Sequence, residues 1–120
     1  MSKDVPRPFD DLRVLDLSSG IAGPYACKLF VDAGATVIKI EPPGGDSLRR
    51  WTASQQDLAD DESSPLFHYL NAGKQSIVLN ARDAQARARF HSFAQRADIV
   101  IEDWGSGILE KCALNPEQWL

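Results

Sequence analysis

Four short apolar runs, separated by stretches with helical patterning, constrain this chain more than any other feature. The runs are LRVLDL (residues 12–17), TVIKIE (36–41), QSIVLN (75–80) and DIVIED (98–103). Between the first two lies YACKLFVDAG (25–34), where Ala26, Leu29, Phe30 and Ala33 recur at helical spacing and Gly34 supplies a C-terminal stop. Pro24 suits the first helical position, where a missing N–H has no intrahelical partner to lose. Between the last two runs lies DAQARARFHSFAQRA (83–97), with Ala86, Phe90, Phe93 and Ala97 on one face and Arg and Gln on the other. Strand, helix, strand, stated twice, predicts parallel pairing, and nearly continuous apolar strands predict cover on both faces. The expected class is α/β, a doubly wound parallel sheet of about four strands.

The remaining segments fill in around that frame. Residues 1–11 are polar, carry two prolines and read as a flexible N-terminal arm. Residues 42–64 form a long loop, an unusual length inside a compact domain and one often tied to function. SPLFHYLNAG (64–73) predicts a short helix with Ser64 as cap, Pro65 first and Gly73 as stop, and residues 105–113 predict another after a glycine-rich turn. NPEQWL (115–120) has the form of a helix start, with Asn115 as cap and Pro116 following, and it ends on two large apolar residues, Trp119 and Leu120. A chain that stops as a helix begins is expected to be the N-terminal piece of a longer protein; a naturally short chain is the alternative.

Composition narrows the function classes. With 120 residues, 43% hydrophobic and 25% charged, the chain has room for one modest core. A formal charge of −4 argues against nucleic acid as the main partner. No apolar run approaches the ~18 residues of a membrane span and no secretory leader is present, so the cytoplasm is the expected compartment. Cys27 and Cys112 lack metal or CxxC spacing and read as reduced, buried or half-buried thiols. No metal site is expected.

Several segments bear on chemistry. The run TVIKIE stops on Glu41 and is followed at once by PPGGD. In nucleotide-binding α/β folds such an acid can meet a ribose, and SGIAGPYA (19–26) follows the first strand and opens a helix as a dinucleotide turn would. The G-x-G-x-x-G fingerprint is nonetheless absent: Gly20 and Gly23 give G-x-x-G, which also suits a plain tight turn. His68 and His91 sit singly on helices, and no G-x-S-x-G or HExxH pattern occurs, so no complete catalytic set is present. The loops after all four strands gather glycines and cations at one sheet edge, where open parallel sheets bind ligands. Lys74, Arg82 and Lys111 either supply charge for a phosphate or are solvated surface cations, and Trp104 is either a core residue or a face for a purine.

Taken together, VLDL followed by AGP, AGATVIKIEPPGGD, LNAGKQSIVLN and ADIVIEDWGSGILEK resemble, in order and spacing, the opening of class III CoA-transferases, a family that includes formyl-CoA transferase and α-methylacyl-CoA racemase. The resemblance covers residues 12–120. It implies a Rossmann-like CoA-binding domain, incomplete at its C-terminus, within a larger interlocked homodimer. It implies acyl-CoA as substrate and a catalytic aspartate, or in the racemase branch a histidine and an acid pair, downstream of the matched region, so this chain alone is expected to be inactive. Carried over by position, Ile21 and Ala22 line the nucleotide, Leu79, Asn80 and Arg82 lie near the adenosine and its 3′-phosphate, Trp104 replaces a phenylalanine and Lys111 an arginine. Asp103 stands in place of an asparagine donor and Pro42 in place of a cation, which implies weakened CoA binding. Glu41 is then read as a structural acid and Asp46 as a turn residue. The rival reading is a non-catalytic module for dimerisation or interaction.

Overall fold

The computed structural model describes residues 5–59, 61–112 and 114–119, without the side chains of residues 106, 111 and 116. Four strands, β1 (Arg13–Asp16), β2 (Thr36–Glu41), β3 (Gln75–Val78) and β4 (Ile99–Ile101), form one sheet in the order β3-β2-β1-β4. All three pairings are parallel, with Val14 opposite Val37 and Ile99, and Ile40 opposite Ile77. The order reverses direction between β1 and β4, which makes the crevice at their carboxyl ends the switch point of the sheet. Four helices connect and cover it: α1 (Ala22–Asp32), α2 (Pro65–Asn71), α3 (Ala84–Arg96) and α4 (Gly105–Lys111).

Strand alternation splits the core in two. Leu15, Leu17, Ile40 and Leu79 pack with Phe90, Ala94 and Leu109 on the α3 and α4 face. Val14 and Val37 pack with Cys27 and Ala35 on the α1 face. A third cluster, Leu48, Phe67 and Leu70, joins α2 to a 3-10 turn at Ser47–Arg50 within the long loop.

Several expectations shift in detail. Helix α1 starts at Ala22, so Pro24 is its third residue and not its first; the first turn tolerates proline throughout because its N–H groups are unpaired there in any case. Gly34 does stop it, with φ of 107°. The buried face of α1 is Pro24 and Cys27, and Leu29 points outward. On α3 the buried stripe is Ala86, Phe90 and Ala94, one turn apart, with Phe93 and Ala97 at its margin. Strand β3 is an edge strand and largely exposed, not covered on both faces. Ser64 caps α2 as expected, and Asp83 caps α3. Residues 116–119 form a single 3-10 turn, and Trp119 docks on α3, where its indole N–H donates to His91 Nδ1 at 2.7 Å; Leu120 lies outside the described residues. At the other end, Phe9 stacks on Phe30 with ring centres 5.5 Å apart, and its N–H donates to the Ala33 carbonyl.

Candidate functional site

The register decides which side chains meet at the carboxyl edge. On the α1 face Asp16 lies directly opposite Lys39, and Lys39 opposite Ser76, with Glu41 two residues further along β2. Both Asp16 and Lys39 are shut away from solvent, a costly placement unless each charge is paired and hydrogen-bonded. Asp16 Oδ1 accepts from the Ser18 N–H at 2.9 Å and from the Ser18 hydroxyl, and its Oδ2 accepts from Lys74 Nζ at 2.9 Å. Lys74 also donates to Asn71 Oδ1 and to the Pro24 carbonyl. Lys39 Nζ donates to the Ser18 carbonyl at 2.8 Å and stands 3.2 Å from Asp46 Oδ2, an ionic contact at which Oδ2 has no hydrogen-bond partner among the described residues. Burial would raise the Asp16 carboxyl; the charge of Lys39 and the hydrogen bonds from Ser18 and Lys74 outweigh it and hold the group below its ordinary value. Burial pulls Lys74 down against Asp16. Cys27, buried beside this cluster, is pushed up to about 12 by burial first and by Asp16 second, which leaves an inert thiol. Both cysteines are free and buried.

The PPGGD turn closes on the acid that precedes it. Gly44 and Gly45 each take φ of 87°, a conformation that glycine adopts without strain. Asp46 Oδ1 then accepts from the Leu48 N–H at 2.8 Å and caps the 3-10 turn. Glu41 Oε1 accepts from the Asp46 N–H and from Arg49 Nε, and Oε2 from Arg49 Nη2 and the Ser76 hydroxyl. The Arg49 guanidinium in turn lies 4.1 Å from the Phe67 ring centre. Burial would raise Glu41; the hydrogen bonds from Arg49, Ser76 and the Asp46 N–H reverse this and hold it at about 2. Glu41 is therefore a clamp on its own turn.

On the α3 face of the same edge lies a cavity of about 290 Å³. Ser18, Ser19, Pro42 and Pro43 form one wall, Asn80 and Arg82 another, and Leu79, Trp104 and Ile108 give it apolar surface. Trp104 meets Phe90 edge to face at 5.8 Å. Arg82 is exposed to solvent and is the one cation among the described lining residues. At the switch point, the Asp103 carboxylate accepts from the Ser19 N–H at 3.1 Å, and Glu102 accepts from the Trp104 N–H at 2.8 Å. A second cavity, of about 220 Å³ and lined by residues such as Val14, Ile38 and Phe93, opens at the opposite edge. It is nearly all apolar and sits away from the loops that carry ligand sites in such sheets.

The structure thus brings together Leu79, Asn80, Arg82 and Trp104. Ile21 and Ala22 stand at the start of α1 and do not line the cavity; Asp103 sits at its rim. Lys111 ends α4, and its side chain lies outside the described residues. Lys74 is not a surface cation available to a phosphate: Asp16, Asn71 and Pro24 take all its donors. Lys39 was not singled out from sequence, although a charge two residues before Glu41 in an apolar run marks a polar group on a buried strand face. Among the described residues no group of three or more His, Cys, Asp or Glu is placed to hold a metal ion, and no helix is long and apolar enough to cross a membrane.

A parallel sheet in the order 3-2-1-4, with a cavity at the carboxyl edge beside its switch point, defines one half of a doubly wound α/β fold. Residues 9–120 match the model of CoA-transferase family III, and the chain belongs to that family. It is 42% identical over 103 residues to a succinyl-CoA:mesaconate CoA-transferase of Haloarcula marismortui, covering 86% of this chain and 26% of that protein. It is 38% identical over 112 residues to an acetyl-CoA:oxalate CoA-transferase of Acetobacter aceti, covering 92% and 28%. A crystal structure of a CAIB/BAIF family protein from Brucella suis superposes with a TM-score of 0.85 at 36% identity, over 96% of this chain and 30% of the other. The chain corresponds to the amino-terminal part of these longer proteins.

Proposed function

We propose that this chain is the CoA-nucleotide-binding part of an enzyme that transfers CoA between carboxylic acids, acting as a cytoplasmic homodimer. The carrying observation is the carboxyl-edge cavity, where a cation (Arg82), an aromatic ring (Trp104) and the 79–82 loop face one another. This combination suits a phosphorylated adenosine: Arg82 for phosphate, Trp104 for a stacked or edge contact with the base. The transfer chemistry belongs to an aspartate outside this chain, so the chain alone turns over no acyl-CoA. An exposed stripe on α1, Ile21, Tyr25 and Leu29 beside Tyr69 of α2, supports burial of that face in an assembly.

Calorimetric titration of the chain with CoA tests the reading. Asp103→Asn keeps an acceptor for the Ser19 N–H but removes a charge near the site. It is expected to tighten CoA by roughly tenfold, since ~1.4 kcal/mol is one decade. Arg82→Ala is expected to weaken it by a similar factor, and salt should erode that difference. Equal affinities for all three proteins would remove the loops around the cavity from the CoA site.

A further inference from the structure

We propose that Lys39, buried on the far face of the sheet from the cavity, is a positioning residue for the ligand, an inference that rests on the CoA reading above. Its Nζ holds the Ser18 carbonyl at 2.8 Å. A peptide unit is planar, so fixing the carbonyl of residue 18 fixes the direction of the N–H of residue 19. That N–H points into the switch-point crevice, where the Asp103 carboxylate accepts it at 3.1 Å. The same Nζ stands 3.2 Å from Asp46 Oδ2, on the turn that lines the cavity beside the 18–19 loop. One ammonium therefore ties the 18–19 loop to the 42–46 turn and presents the Ser19 N–H as a fixed donor. Open parallel sheets bind anionic groups at this place, and an acidic side chain now occupies the donor as a phosphate oxygen would. Lys39 is shut from solvent and touches no ligand itself, so it sets affinity through the loops.

Asp16 and Lys74 do not share this task. Asp16 holds the Ser18 N–H and hydroxyl, and Lys74 holds the first turn of α1 and the end of α2. Of these three charges, Lys39 alone joins the 18–19 loop to the 42–46 turn.

The test uses the 120-residue chain and two readouts, amide hydrogen exchange at Ser19 and Gly45 and calorimetric affinity for CoA. Lys39→Met removes the ammonium but strands the Asp46 carboxylate, so it can fail to fold for that reason alone. The double variant Lys39→Met/Asp46→Asn removes both charges together and leaves Asp16 paired with Lys74. Val14→Ala, in the α1-face core, serves as a control for destabilisation without any link to the loops. In the double variant both amides are expected to exchange at least tenfold faster and CoA to bind about tenfold more weakly. Val14→Ala should leave both unchanged relative to global opening. A folded double variant with unchanged exchange overturns the proposal, as does one that no longer folds, since Lys39 would then be a core requirement. If exchange quickens in the double variant while the unsubstituted chain binds no CoA, the loop-positioning role stands and the CoA reading falls.

Discussion

Replacing Glu41 with glutamine is expected to lower the stability of the chain by about 3 kcal/mol near neutral pH, the low end of the cost of breaking a buried ion pair, because Arg49 keeps some solvent contact. For a domain of this size that corresponds to a fall in melting temperature of roughly 12 °C. The same carboxylate sets an acid limb. Its pKa is about 2 in the fold against an ordinary 4.5. Its contribution is complete above pH 4.5 and drains away as pH falls toward 2, about 3 kcal/mol in all by linkage. Asp16, also held low, adds to the loss in the same direction. The variant should therefore be less stable at pH 7 yet lose less on acidification. Thermal unfolding of both proteins from pH 7 to 2 checks this, and parallel curves would show that Glu41 is not the clamp.

Gly23→Ala should cost on the order of 2 kcal/mol, within the usual range for overpacking a core. A Cβ on residue 23 would collide with the Cβ and Oγ of Ser18, and Ser18 is buried and bonded to Asp16. Gly107 gives the contrast. It lies in α4 with open space where a methyl group would go, so Gly107→Ala should stabilise by up to ~1 kcal/mol through helix propensity alone. Melting temperatures moving in opposite directions for the two variants are the expected result. A neutral Gly23→Ala would mean that the loop can shift away, and that the close approach of Ser18 to α1 is not what residue 23 protects.

The residues reveal some of this plainly and hide the rest for physical reasons. The four strands and the α3 helix are legible because their apolar residues repeat at fixed periods, and the cap at Ser64 announces a helix start. The helix boundary at Pro24 is less legible, since any first-turn position tolerates proline. The cavity wall at Asn80, Arg82 and Trp104 is visible only through the loops that follow strands β3 and β4. The fate of Lys74 is invisible in one dimension: it meets Asp16, 58 residues away, only because the sheet sets β1 and the start of β3 on either side of β2. Lys39 is hidden for the same reason. Its partners Ser18 and Asp46 lie on either side of it in sequence, and parallel pairing of β1 with β2 is what brings all three together.

Whether the carboxyl-edge cavity receives the nucleotide of CoA can be read from backbone amide chemical shifts recorded while CoA is titrated into the chain. The largest changes should fall on residues 18–19, 79–82 and 103–104, with dephospho-CoA moving Arg82 less than CoA does. Changes confined to Val14, Ile38 and Phe93 at the opposite edge, or none at saturating CoA, would contradict a nucleotide site in this cavity.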